Sequence, residues 1–136
     1  MQTSTKIQGI ILVDDDSITN YLNSELIREM EIATHVVVCN CGEEALDYLR
    51  RQQNPLNTEK SVTLIFLDIN MPGIDGFEFL NHLEQLKLPE GVDVVLLTTS
   101  DNPKDVEKTS QFKIRGYLNK PLTTEKVNSI VNKTAH

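Results

Sequence analysis

Short runs that are apolar at nearly every position alternate with longer stretches in which apolar residues recur every three or four. Gly9 to Val13 contains the unbroken run Ile10-Ile11-Leu12-Val13. Such continuity predicts a parallel strand covered on both faces. In Ser17 to Met30, Ile18, Tyr21, Leu22, Leu26 and Met30 fall at helical spacing, which predicts an amphipathic helix with these residues as its apolar face. Asp16 or Ser17 can cap its start. Thr34 to Cys39 is a β-branched second strand, and Glu43 to Gln53 a second helix with Ala45, Leu46 and Leu49 inward. Thr63 to Leu67 is a third strand, and Phe77 to Lys87 a third helix that uses Leu80, Leu83 and Leu86. Val92 to Leu97 is a fourth strand. Pro103 opens a weakly amphipathic fourth helix, at the first-turn position where proline is favoured. Gly116 to Leu118 is a short fifth strand. Thr123 then caps a last helix with Val127, Ile130 and Val131 inward, and Leu122 and Val127 are placed as a hydrophobic staple.

Repeated β-α units of this kind define an α/β fold: a parallel sheet with helices on both faces and right-handed crossovers. The 136 residues, 39% hydrophobic and 24% charged, suit one domain with a core of ordinary size, here taken as residues 6–133 between short tails at 1–5 and 134–136. No apolar run reaches the length of a membrane span. The polar start at Met1 to Lys6 has no apolar stretch behind a charged start, so no secretory leader is expected. A net charge of −7 without a basic stripe argues against nucleic acid and anionic membranes as partners. The two cysteines, Cys39 and Cys41, are too few for a disulfide framework or a four-cysteine zinc site. They read as reduced thiols of a cytoplasmic protein, Cys39 buried at a strand end and Cys41 in the following loop.

In open α/β sheets, ligands bind beyond the carboxyl ends of the strands. The first strand is followed there by Asp14, Asp15 and Asp16, and the third by Asp68. The fourth is followed by Thr98, Thr99 and Ser100, and the fifth by Asn119, Lys120 and Pro121. Each group alone has an ordinary explanation: a turn and helix cap, a βα loop, a strand-end hydroxyl, a surface lysine. Together they place complementary chemistry at four strand ends on one rim. Carboxylates converging in a crevice need a cation or a raised pKa. Hard oxygen ligands suit Mg²⁺, which is held by one or two carboxylates with waters and a phosphate. A lysine and a hydroxyl can bind phosphoryl oxygens, and an aspartate can act as the nucleophile that forms an aspartyl phosphate. Phosphoryl transfer needs mainly this positioning and charge stabilisation.

The strings Val13-Asp14-Asp15, Leu67-Asp68-Ile69-Asn70-Met71-Pro72-Gly73-Ile74-Asp75-Gly76, Leu97-Thr98 and Gly116-Tyr117-Leu118-Asn119-Lys120-Pro121 strongly resemble the receiver domains of two-component response regulators, of the small chemotaxis-regulator type. The resemblance runs from about Lys6 to Val131. It implies a three-layer, flavodoxin-like (βα)5 fold with a five-stranded parallel sheet in the order 2-1-3-4-5. It implies that Asp68 accepts a phosphoryl group from a histidine kinase or a histidine phosphotransfer protein. Mg²⁺ would be held by Asp15 directly, by Asp14 largely through water, by Asp68, and by the backbone carbonyl of Asn70. Asp16 matches no position of that shell. Thr98 and Lys120 would contact the phosphoryl group, and the bond from Lys120 to Pro121 would be cis. Tyr117 would turn inward as Thr98 moves, or else serve as a half-buried packing residue. The last two helices and strand five would form the output face for a downstream protein target. Such a chain is a signalling switch that catalyses only its own phosphorylation and dephosphorylation.

Pro72 and Gly76 read as backbone devices: Pro72 fixes φ and Gly76 permits a conformation closed to other residues. His82 reads as a surface histidine. Thr99, Ile114-Arg115 and the long loop from Asn54 to Ser61 depart from the usual pattern without touching the expected metal ligands. A branched residue at 99 is expected to narrow access and slow phosphate loss. Residues 101–136 carry 7 basic and 4 acidic residues, against 6 and 16 in residues 1–100, so the expected output face is mildly basic around Lys104 and Lys108. A haloacid-dehalogenase-type phosphatase would need an aspartate two residues after Asp68, where Asn70 stands. A relay intermediate and a phosphorylation-independent docking module are the other readings, and the complete residue set argues against the latter.

Overall fold

The protein, described by a computed structural model, is seen at residues 6–51, 61–69, 71, 73, 75–86, 91–98, 107, 112 and 114–134. Its strands are β1 (Lys6–Val13), β2 (His35–Cys39), β3 (Ser61–Asp68), β4 (Val92–Thr98) and β5 (Gly116–Asn119). Its helices are α1 (Ser17–Met30), α2 (Gly42–Arg51), α3 (Gly76–Gln85) and α4 (Thr124–Thr134). The helix expected from Pro103, like Asn70, Pro72, Thr99 and the loop at Asn54, lies outside the described residues.

The five strands form one parallel sheet in the order β2-β1-β3-β4-β5, so the expected flavodoxin-like topology is observed. Continuous apolarity in β1, β3 and β4 has the expected meaning. Ile10, Ile11, Leu12 and Val13 are all buried, as are Leu64 to Leu67 and Val94 to Leu97. Successive side chains point to opposite faces, and each face has its own core. Ile11, Val13, Ile65, Leu67 and Leu96 pack with Ala45, Leu46, Leu49, Phe79 and Leu80 of α2 and α3. Ile10, Leu12, Leu64, Phe66, Val95 and Leu97 pack with Ile27 of α1 and with Leu122, Val127 and Ile130. The staple pair Leu122 and Val127 thus joins one core, and Thr123 Oγ1 accepts from the Lys126 N–H as the cap of α4.

One helix turns otherwise than its apolar spacing predicts. Ile18, Tyr21 and Leu22 of α1 stand in solvent at 69%, 62% and 59% exposure, while Asn20, Asn23, Ser24 and Ile27 face inward. Leu26 and Met30 are half-buried against the second core. The reason lies at the N-terminal end of α1, where it abuts loop carbonyls that need donors. Asn20 meets that need by donating to the Asp14 carbonyl, which leaves Ile18, Tyr21 and Leu22 outside.

Two glycines are set by different constraints. Gly73 has φ of 78°, the left-handed region that side chains avoid. Gly76 does not, contrary to the expectation of a special conformation there. A Cβ on Gly76 would lie 2.8 Å from Ile69 Cα and 3.2 Å from the Asp68 carbonyl oxygen. Its role is to let the start of α3 approach the end of β3, where its N–H donates to the Ile69 carbonyl at 2.9 Å.

Candidate functional site: an acidic cluster bridged by a lysine

Strand register assembles the site. Val13 pairs with Leu67, so Asp14 and Asp68 emerge side by side from β1 and β3. Asp68 pairs with Leu97, which puts Thr98 next in line, and Thr98 pairs with Asn119, which puts Lys120 after it. The Lys120 N–H donates to the Thr98 carbonyl at 2.7 Å and fixes that last step. The residues expected at strand ends therefore converge, with Asp14, Asp68 and Thr98 buried and Asp15 exposed.

Ligand oxygens of Asp14, Asp15 and Asp68 all lie within 4.8 Å of one another. Two unit negative charges at that separation repel by roughly 3.5 kcal/mol at an effective dielectric near 20. Lys120 Nζ sits between two of them, 2.7 Å from Asp14 Oδ2 and 3.3 Å from Asp68 Oδ2. Burial alone would lower the lysine pKa. The hydrogen bond to Asp14 and the charges of Asp68 and Asp14 outweigh it, and the net displacement is upward. One cation against three carboxylates leaves the cluster short of positive charge. That deficit, with an all-oxygen donor set open on the Asp15 side, fits a hard divalent ion such as Mg²⁺.

The loops around the cluster are tied down in detail. Asp14 Oδ1 accepts from the Asp16 N–H at 2.9 Å, and the Asp14 N–H donates to the Cys39 carbonyl at 3.2 Å. Asp16 caps α1, accepting from the Ile18 and Thr19 N–H groups. Those backbone donors, Thr19 foremost, hold its carboxyl below the usual carboxylate range. It is a cap and stands apart from the three-carboxylate cluster, as the sequence reading had it. Asp75 caps α3 through the Glu78 N–H. The bond from Lys120 to Pro121 is cis, as expected. Lys126, which the sequence did not single out, donates to the carbonyls of Asn119 and Pro121 at 2.8 and 3.0 Å and so closes the loop that carries Lys120. A lysine at the first turn of a helix has no distinctive sequence signal for this task.

Tyr117 is half-buried and packs against the α2–α3 side of the core. Cys39 is buried and Cys41 half-exposed. His82 is exposed on α3. No helix among the described residues is long and apolar enough to cross a membrane.

Comparison with known proteins shows the family. The family described as the response regulator receiver domain matches residues 10–132, so the chain belongs to the receiver domains of two-component signalling, which act as switches. It is 32% identical over 111 residues to the response regulator Rcp1 of Synechocystis sp., covering 82% of this chain and 75% of that protein. The crystal structure of a two-component response regulator from Cytophaga hutchinsonii superposes with a TM-score of 0.81 at 32% identity, covering 95% of this chain and 97% of the other. The chemotaxis protein CheY4 of Vibrio cholerae shares the fold, with a TM-score of 0.77 at 21% identity over 94% and 98% of the two chains.

Proposed function

We propose that this chain is a phosphorylation-controlled switch in which Asp68 is the phosphoacceptor. The observation that carries the reading is the convergence of Asp14, Asp15 and Asp68, with Lys120 Nζ bridging Asp14 and Asp68, at the carboxyl ends of adjacent strands. An Asp68 carboxylate oxygen attacks the phosphorus of a phosphohistidine on a histidine kinase or histidine phosphotransfer protein. The P–N bond breaks, its electron pair leaves with the imidazole, and an acyl phosphate forms on Asp68. Asp14, Asp15, Asp68 and the backbone carbonyl of Asn70 would hold Mg²⁺, whose charge offsets that building on the phosphoryl oxygens. Lys120 binds one of those oxygens as a point charge and Thr98 donates its hydroxyl to another.

The half-buried ring of Tyr117, one strand position from Gly116 and packed on the core, supports a readout through β5 and the helices flanking it. Inward movement of Thr98 toward the phosphoryl group, followed by Tyr117, would shift the population of that face toward the form a downstream protein binds. Next to the site, the exposed stripe of Ile18, Tyr21 and Leu22 offers the donor protein an apolar surface within reach of the rim.

Intact-mass measurement after incubation with acetyl phosphate and Mg²⁺ tests the reading. Gain of one phosphoryl group, absent with EDTA and in Asp68→Asn, is the expected result. Equal uptake by Asp68→Asn contradicts it.

A further inference from the structure

Asn20 is buried to 2% exposure on the inner face of α1, and among the described residues the hydrogen bonds its side chain donates go to the segments that follow or end β1 and β2 at the rim of the site. Its Nδ2 donates to the Asp14 carbonyl at 2.8 Å, and reaches the Cys39 carbonyl and Asn40 Oδ1 at 3.4 Å each. The amide has only one workable orientation. Turned over, its oxygen would face three acceptors. In the orientation observed, Asn20 Oδ1 is buried with no hydrogen-bond partner among the described residues. An unpaired buried acceptor costs about 1–3 kcal/mol, so an apolar residue of similar size would serve better if packing were its only task.

We infer that Asn20 is a positioning residue for the cation site, acting through the backbone of Asp14. The inference rests on the reading of the acidic cluster as that site. The Asp14 carbonyl belongs to the planar peptide that leads into Asp15, so its direction sets the path by which both carboxylates enter the cluster. Asp14 N–H is already held by the Cys39 carbonyl on the other side. Asn20 therefore completes a clamp that locks the β1–α1 loop against the β2–α2 loop. Partners one shell out from a metal ligand commonly contribute a factor of about 10–100 to metal affinity.

The test is Mg²⁺ binding by calorimetry to the wild type, Asn20→Leu and Asn20→Ser, with Ser24→Ala as a control on the same buried face. Among the described residues, Ser24 donates to the Tyr21 carbonyl and accepts from Arg28 Nη1, both within α1. About tenfold weaker Mg²⁺ binding in both Asn20 variants, with Ser24→Ala unchanged, is the expected result. The Mg²⁺ concentration giving half-maximal phosphorylation by acetyl phosphate should rise by the same factor, with the rate at saturating Mg²⁺ within about twofold of wild type. Unchanged Mg²⁺ affinity in a folded Asn20 variant overturns the inference, whatever its melting temperature. So does an equal loss in Ser24→Ala. A wild-type chain that binds no Mg²⁺ overturns the reading of the cluster and this inference together, which separates the two failures.

Discussion

Replacing Lys120 with methionine removes the cation from between two buried carboxylates and leaves a side chain of similar reach. At an effective dielectric near 20, contacts of 2.7 and 3.3 Å correspond to roughly 5–6 kcal/mol of attraction each. Most of that is offset by the several kcal/mol needed to desolvate each ion. What the variant exposes is the remaining imbalance: Asp14 and Asp68 stay buried and repel each other with no counter-charge. Breaking a buried pair from one side costs about 3–5 kcal/mol. The cluster opens toward solvent at Asp15, so the low end applies, about 3 kcal/mol. For a domain of this size that is a fall in Tm of roughly 12 °C in EDTA. Saturating Mg²⁺ should shrink the deficit, because the divalent ion offsets the same carboxylates. Alkali should shrink it too. A lysine with a raised folded-state pKa contributes stability that is complete below its ordinary pKa of 10.5 and is lost as pH climbs through the higher folded value. Thermal melts of the two proteins in EDTA and in Mg²⁺, at neutral pH and above pH 10.5, read all three effects. A deficit below about 0.5 kcal/mol in EDTA, or one that Mg²⁺ leaves untouched, refutes the reasoning.

Three further outcomes follow from particular contacts. A Cβ on Gly116 would sit 2.5 Å from Ile130 Cδ1. Gly116→Ala should therefore cost about 1–3 kcal/mol and Ile130→Val about 0.5–1.5 kcal/mol. The double variant, which deletes the clashing methyl, should cost at least about 0.5 kcal/mol less than their sum in denaturant titrations, and strict additivity refutes the contact. Burial, with help from the charges of Glu44 and Cys41, pushes the Cys39 thiol up to about 12. Iodoacetamide at pH near 8 should thus label Cys41 alone in the native protein and both thiols after unfolding; rapid native labelling of Cys39 contradicts that burial. Leu22→Asp on the exposed stripe of α1 should slow phosphotransfer from a cognate phosphohistidine protein about tenfold while leaving the rate with acetyl phosphate unchanged, and equal slowing of both counts against a docking role.

Much of the fold was legible because buried parallel strands leave a blunt signal. Ile10 to Val13 and Leu64 to Leu67 are apolar at each position because helices cover both faces of the sheet. The site was legible because register carries strand-end residues to one rim, so Asp14, Asp68, Thr98 and Lys120 needed only their strands to be placed correctly. Helix α1 was misleading for a physical reason. Its apolar spacing predicted an inward stripe, but the loop carbonyls at its N-terminal end called for the amide of Asn20, and Ile18, Tyr21 and Leu22 were turned to solvent. Nothing in the sequence marks which of several polar residues in a helix will meet such a demand. Gly76 was singled out correctly but for the wrong constraint, since a close approach of two backbones depends on tertiary packing and φ does not reveal it.

Locating the phosphoryl group by residue tests the central claim most directly. Phosphorylation with acetyl phosphate and Mg²⁺, reduction with borohydride and peptide mapping convert an acyl phosphate into an alcohol at the residue that carried it. The account predicts the alcohol at residue 68 alone, dependent on Mg²⁺ and lost in EDTA. The alcohol at residue 14 or 15, or a phosphoryl group that resists borohydride on a hydroxyl side chain, contradicts it.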